Sequence, residues 1–76
     1  MAIMKINPTN SNVGIGTDSP NSNAILELSS TSGALLLPRM TQAQRNNLTA
    51  VDGMIIYQTD NTPGIYARVN GSWVQL

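Results

Sequence analysis

Apolar residues along the chain occur in short groups, separated by clusters of residues that form turns. The first part of the chain is poor in apolar residues, and turn-forming residues fill positions 7–12 and 18–23. Between these turns, residues 13–17 alternate β-branched side chains with glycine, so that another backbone can approach closely. We therefore expect residues 1–23 to form an extended, loop-like lead-in, with a short strand at 3–6, that is ordered by partner chains.

The middle of the chain favours two further strands. Residues 24–30 have the composition of a strand, and a turn follows at residues 30–33. Residues 34–37 are continuously apolar and lie between Gly33 and Pro38. Such a run is typical of a strand that is covered on both faces, so we expect one face to meet the chain's own core and the other to meet a neighbouring chain.

One short helix is predicted after these strands. Thr41 and Gln44 have the spacing of a capping box, in which each side chain bonds to the backbone of the other residue. The following residues favour a helix until the pair Asn46-Asn47, which is a poor helix former. We expect a helix of about two turns over residues 42–48.

The C-terminal part of the chain predicts a strand at residues 54–58 and then a hairpin. Asn70-Gly71 between two apolar segments is typical of a two-residue type I′ turn, which places Arg68 opposite Trp73. We expect a cation–π contact between these two side chains. One face of the hairpin is predicted to be core, and it contains Ile65, Ala67, Val69, Val74 and Leu76. The other face contains Tyr66, Arg68, Trp73 and Gln75.

These elements together predict the fold. We expect a mainly β protein: a small antiparallel sheet with a C-terminal three-stranded meander and one short helix. Residues 24–76 would form a β-rich module, and the chain would be one domain overall.

Composition narrows the range of functions. The formal net charge is zero and only 11% of residues are charged, which argues against a nucleic acid or an anionic membrane as a partner. No apolar run approaches the length of a membrane span. The apolar stretch before Lys5 is shorter than the hydrophobic region of a signal peptide, so we expect no signal peptide. With no cysteine and no histidine, disulfides, zinc sites and thiol or imidazole catalysis are excluded.

The remaining candidates for chemistry are weak. The four carboxylates of the chain are scattered along it: Asp18, Glu27, Asp52 and Asp60. The three aspartates fall in predicted turns. We therefore expect no enzymatic activity, no metal and no cofactor. A chain of 76 residues without disulfides or metals often needs oligomerisation to be stable, which favours self-association.

Several segments in this order resemble a module of phage tail fibres and related virion fibre proteins. They are Val-Gly-Ile-Gly-Thr within residues 12–20, Leu-Pro-Arg-Met-Thr-x-x-Gln-Arg within 33–46, Gly-x-x-x-Tyr-x-Thr-Asp at 53–60, Tyr66, and Asn-Gly-Ser-Trp at 70–73. The resemblance covers about residues 12–76. It implies that the chain assembles as an intertwined homotrimer, with residues 24–76 as the β-rich trimerisation module. It also implies a virion tail fibre, made in the host cytoplasm, with neighbouring fibre or virion domains as partners. It implies no catalytic residues.

Two hypotheses follow. The first is a structural module that brings three fibre chains into register, with an oligomer interface at Val13, Ile15, Leu26, Leu28, Leu35, Leu37, Ile55, Tyr57 and Trp73. The alternative is a fibre-tip module that binds a glycan of the host surface through Tyr66, Arg68, Asn70 and Trp73. The position of the aromatic side chains discriminates between them, because a receptor-binding tip exposes its aromatic rings and an association module buries them between chains.

Overall fold

The computed structural model describes residues 4–76, which form seven short strands and one helix. The chain divides into two units, Met1–Leu35 and Leu36–Leu76, and each unit contains one small sheet. The predicted mainly β fold with one short helix is confirmed. The sheets are mixed rather than purely antiparallel, because each contains one parallel pair of strands.

The first unit contains a three-stranded sheet made of β1 (Met4–Ile6), β2 (Val13–Ile15) and β3 (Leu26–Leu28). Strand β2 lies in the middle, antiparallel to β1 and parallel to β3. The predicted lead-in is therefore not merely loop-like, since it supplies two of the three strands. Ordering of this segment by partner chains stays a prediction, as does the organisation of the chain as one domain overall.

Glycine permits a close backbone contact beside this sheet, as the sequence predicts. Gly16 has a φ of 84°, a conformation that favours glycine, and a Cβ at this position would overlap the carbonyl oxygen of Ser29. The amide of Ser29 in turn donates to the carbonyl oxygen of Ile15 at 2.9 Å. The chain leaving β3 therefore stays against the end of β2.

The second unit contains a four-stranded sheet and the helix. Its elements are β4 (Arg39–Met40), α1 (Gln42–Asn46), β5 (Ile55–Gln58), β6 (Gly64–Val69) and β7 (Ser72–Gln75). The strands are arranged in chain order, with β4 parallel to β5 and the last three strands antiparallel to each other. The predicted C-terminal meander is confirmed.

The capping box of the helix is formed as predicted. The amide of Gln44 donates to Thr41 Oγ1 at 3.2 Å, and the amide of Thr41 donates to Gln44 Oε1 at 2.9 Å. The helix ends at Asn46, two residues earlier than predicted, and Asn47 is its C-cap. Asparagine is a poor helix former, and the Asn46 side chain accepts hydrogen bonds from the Arg45 guanidinium at the end of the helix.

The predicted hairpin is also confirmed. Asn70 and Gly71 have φ values of 48° and 78°, and Arg68 pairs with Trp73 in the predicted register. A side chain from another turn supports the loop, because the amide of Gly71 donates to Asp52 Oδ1 at 2.9 Å. The Arg68 guanidinium carbon lies 5.7 Å from the centre of the Trp73 ring, which confirms the cation–π contact.

The apolar run at residues 34–37 does not form the predicted strand. These residues belong to no helix or strand, and Leu35 and Leu36 are 64% and 70% exposed. The expectation that one face of this run meets the chain's own core is therefore wrong. Regular pairing begins only at Pro38, whose carbonyl oxygen accepts a hydrogen bond from the amide of Tyr57 at 2.9 Å.

Candidate association surfaces

The four-stranded sheet buries the face that the sequence predicts to be non-core. Ile56 and Tyr66 pair across β5 and β6 and are 4% and 8% exposed. Gln58 on the same face is fully buried, and Arg45 of the helix is 9% exposed. The small core of this unit therefore combines two large side chains with two polar ones.

A network of hydrogen bonds satisfies these buried polar groups. The Arg45 guanidinium donates from Nη1 to Gln58 Oε1 at 2.7 Å, and from Nη2 to Asn46 Oδ1 at 3.0 Å. Gln58 Nε2 donates to the carbonyl oxygens of Asp60 and Asn61 at 2.7 and 2.9 Å. Because Gln58 uses both ends of its amide, it connects the helix to the turn between β5 and β6.

Aromatic rings surround the same cation. The guanidinium carbon of Arg45 lies 5.1 Å from the centre of the Tyr66 ring and 5.7 Å from that of Trp73. The Tyr66 hydroxyl donates to the carbonyl oxygen of Thr62 at 2.7 Å. The cation is thus held by two ring faces and by amide oxygens.

The predicted core face of the hairpin is wrong for a single chain, since it is the face that remains open. Alternation along β6 and β7 separates two faces but does not say which one is covered. Arg45 of the helix packs on the face with Tyr66, Arg68 and Trp73, because it can stack on the two rings while its own guanidinium and the Tyr66 hydroxyl find hydrogen-bond partners.

The open face of the four-stranded sheet is a continuous apolar surface, which we call the C-terminal apolar face. The pairing of Ile55 with Ala67, of Tyr57 with Ile65 and of Ala67 with Val74 places these side chains on one side of the sheet. Each large side chain on it is at least 38% exposed. The face consists of Ile55, Tyr57, Ile65, Ala67, Val69 and Val74.

The three-stranded sheet has a similar surface, the N-terminal apolar face. Register places apolar residues opposite each other on one side of the sheet: Met4 with Ile15, Ile6 with Val13, Val13 with Leu26 and Ile15 with Leu28. The other side of the sheet holds Lys5, Gly14 and Glu27, which also pair in register. Met4, Ile6, Ile15, Leu26 and Leu28 are all exposed.

Most of the predicted interface residues lie on these two faces. Val13, Ile15, Leu26 and Leu28 belong to the N-terminal apolar face, and Ile55 and Tyr57 belong to the C-terminal one. Leu35 and Leu37 lie outside the strands, and Trp73 lies on the covered side of its sheet beside Arg45. An interface role for these nine residues stays a prediction.

The predicted glycan-binding residues are not collected on one open surface. Tyr66 is buried, Arg68 and Trp73 are half-buried against each other, and Asn70 lies in the exposed turn. A sugar that stacks on Tyr66 would have to displace the Arg45 guanidinium from its ring. Glycan binding therefore stays a prediction that the geometry does not favour.

Several residues of the core and of the N-terminal apolar face were not predicted from the sequence. Arg45 and Gln58 were not identified as core, because long polar side chains are rarely buried unless paired. The two residues bond to each other but lie thirteen positions apart along the chain, so no local sequence pattern identifies them as a buried pair. Met4 and Ile6 could have been found, since their alternation around Lys5 is the ordinary signal of a strand with one apolar face.

The described residues offer little chemistry besides packing. Between residues 4 and 76, no group of three or more acidic side chains lies close enough to hold a metal ion. In the same range, no helix has the length and apolar character needed to cross a membrane.

The chain matches a known protein family. A family model described as a phage tail like trimerisation region matches residues 14–76. No curated protein matches the chain, and no solved structure matches it. The matched range includes β3 and every element of the second unit, together with most of β2, whereas β1 lies outside it.

Proposed function

This chain belongs to the phage tail like trimerisation family, and we propose that it holds three copies of a tail fibre-like protein together in register through its two apolar sheet faces. Family membership indicates self-association into a homotrimer, a structural role and a virion component. The specific proposal concerns the surfaces that carry the association and the consequence that three chains are aligned along a fibre.

The observation that carries the proposal is the exposure of both faces. Soluble monomers rarely expose contiguous apolar patches larger than a few hundred Å². In this chain each sheet leaves most of its apolar side open, and side chains such as Ile6, Leu26 and Ile55 are 56%, 53% and 46% exposed. Association of three copies would remove these surfaces from water.

The distribution of charge supports the same conclusion. Lys5 and Glu27 lie on the side of the three-stranded sheet opposite its apolar face, and Arg45 is on the covered side of the other sheet. No charged residue therefore lies at the centre of either apolar face, where burial of an unpaired charge would be costly. Arg39 pairs with Tyr57 at the margin of the C-terminal face, where its head can reach water.

We propose no enzymatic activity, metal or cofactor, and we do not propose glycan binding. The aromatic group of Tyr66 and Trp73 is used inside the unit, as a cover for Arg45. The polar end of Tyr66 is also occupied, because its hydroxyl donates to the Thr62 carbonyl. No observation favours the receptor-binding alternative.

The proposal is tested by measuring the mass of the folded chain in solution and its melting temperature at several concentrations. We expect a species of three times the 8.1 kDa chain mass, and a melting temperature that rises with protein concentration because folding and assembly are linked. A folded species of 8.1 kDa at micromolar concentration, with a melting temperature independent of concentration, would refute the proposal.

A further inference from the structure

The apolar run at residues 34–37 has no role in the described fold. Its two central side chains, Leu35 and Leu36, are among the most exposed of the chain's large apolar residues. No backbone hydrogen bond joins residues 34–37 to any other residue in the range 4–76. The side chains of Leu35 and Leu36 and the main-chain groups of the segment are thus open to another molecule, whereas Leu37 is half-buried.

This combination is what a strand added to another sheet requires. In such pairing, main-chain hydrogen bonds provide affinity and alternate side chains enter pockets on the two faces. The segment is bounded by Gly33 and by Pro38, which has no N–H to continue a ladder. A strand formed here would therefore be about four residues long.

One open sheet edge in the described part of the chain fits a strand of this length. Strand β7 has four residues, Ser72–Gln75, and no charge. The other outer strands are shorter, and each contains a charged residue, which discourages edge pairing: Lys5 in β1, Glu27 in β3 and Arg39 in β4.

The outer side of β7 has main-chain groups available for pairing. The amide of Leu76 donates inwards to the carbonyl oxygen of Ile65 at 2.9 Å. Because inward and outward groups alternate along an antiparallel strand, the N–H and C=O groups of Gln75 and Trp73 point away from β6. They form the outer edge of the four-stranded sheet.

We propose that residues 34–37 of one copy pair as a fifth strand with the edge of β7 of a neighbouring copy. The inference rests on the proposed trimerisation, which identifies the partner as a second copy of this chain. A contact between two different surfaces can close into a ring, and three such contacts close a trimer. Each copy then gives one strand and accepts one.

The first test is backbone amide exchange measured by NMR on the assembled wild-type protein. We expect slow exchange at the amides of Trp73 and Gln75 and at alternate amides of residues 34–37, because paired amides exchange slowly. Fast amide exchange at all of these positions in an intact trimer would overturn the proposed pairing of residues 34–37 with β7, but it would not contradict the proposed function. Absence of any trimer would instead refute the proposed function.

The second test compares Gln75→Pro with Gln75→Ala. Both variants lose the side-chain hydrogen bond from Gln75 Nε2 to the Pro63 carbonyl, and only the proline variant also loses the outward N–H. We expect the trimer association constant of Gln75→Pro to be about a hundredfold below that of Gln75→Ala, since one bond worth about fivefold is lost at three identical contacts. Equal constants would contradict the proposal.

Discussion

The most direct test of the C-terminal apolar face is the substitution Val74→Asp. Val74 is 44% exposed in the single chain and lies opposite Ala67 on this face. Burial of the exposed part in a trimer would contribute about 1 kcal/mol per copy, which is roughly half the value of a fully buried valine. A carboxylate at the same position would add a desolvation cost of several kcal/mol per copy.

The expected result is loss of the trimer at concentrations where the wild type is assembled. Three equivalent positions are affected together, so a cost of about 3 kcal/mol per copy adds up to about 9 kcal/mol for the trimer. This sum is comparable with the whole unfolding free energy of a small domain, about 5–15 kcal/mol. Sedimentation velocity would show the change in mass, and circular dichroism would show whether the dissociated chain keeps any β structure.

Val51→Asp provides a matched control. Val51 is 61% exposed, more than Val74, and it lies in the turn before β5 and outside both apolar faces. The same chemical change at this position should leave the mass unchanged and the melting temperature within a few degrees of the wild type. If Val74→Asp also assembles with unchanged stability, the C-terminal apolar face is not an interface. If Val51→Asp dissociates the trimer equally, the effect of the first variant is not specific to the face.

Further substitutions test individual parts of the structure. Gly71→Val should lower the melting temperature, because Gly71 has a φ of 78° and valine is strained there, although a Cβ would meet no atom within 4 Å; an unchanged melting temperature would show that the turn can relax. Arg45→Ala should destabilise the fold by about 2–4 kcal/mol in urea titrations, since it leaves Gln58 Oε1 without its donor and two rings without their cover, and an effect below 1 kcal/mol would contradict the structural role. Trp73→Ala should cost about 2–3 kcal/mol, below the usual 3–5 because the ring is half-buried, and thermally unchanged oligomers would instead favour a ligand-binding role. Leu36→Asp should weaken the trimer in sedimentation experiments, whereas intact assembly would place this side chain in solvent.

Local chemistry made two elements predictable from the sequence. The turn at Asn70-Gly71 needs positive φ at both residues, and few other pairs adopt that conformation easily, so turn and register followed together. The capping box depends only on residues three positions apart, Thr41 and Gln44. Such features are decided within a few residues and therefore appear in the sequence.

The two parallel pairs of strands could not be predicted from such local features. The β2–β3 and β4–β5 pairs join segments separated by a long connection, and nothing in either strand's own pattern specifies its partner or direction. Residues 34–37 show the converse failure. A continuous apolar run predicts burial, yet whether its partner belongs to the same chain depends on which surfaces folding leaves open.

The sequence by itself determined that this chain is mainly β and that its hairpin has two chemically distinct faces. It also determined that a chain this short, without disulfides or metal sites, favours association. Only the tertiary structure decided which face is internal. Period-two alternation divides a strand's side chains into two sets, but the covered set is the one onto which another element packs. In this chain the helix brings Arg45 onto Gln58, Tyr66 and Trp73. The C-terminal apolar face is consequently left open, and a neighbouring copy can cover it.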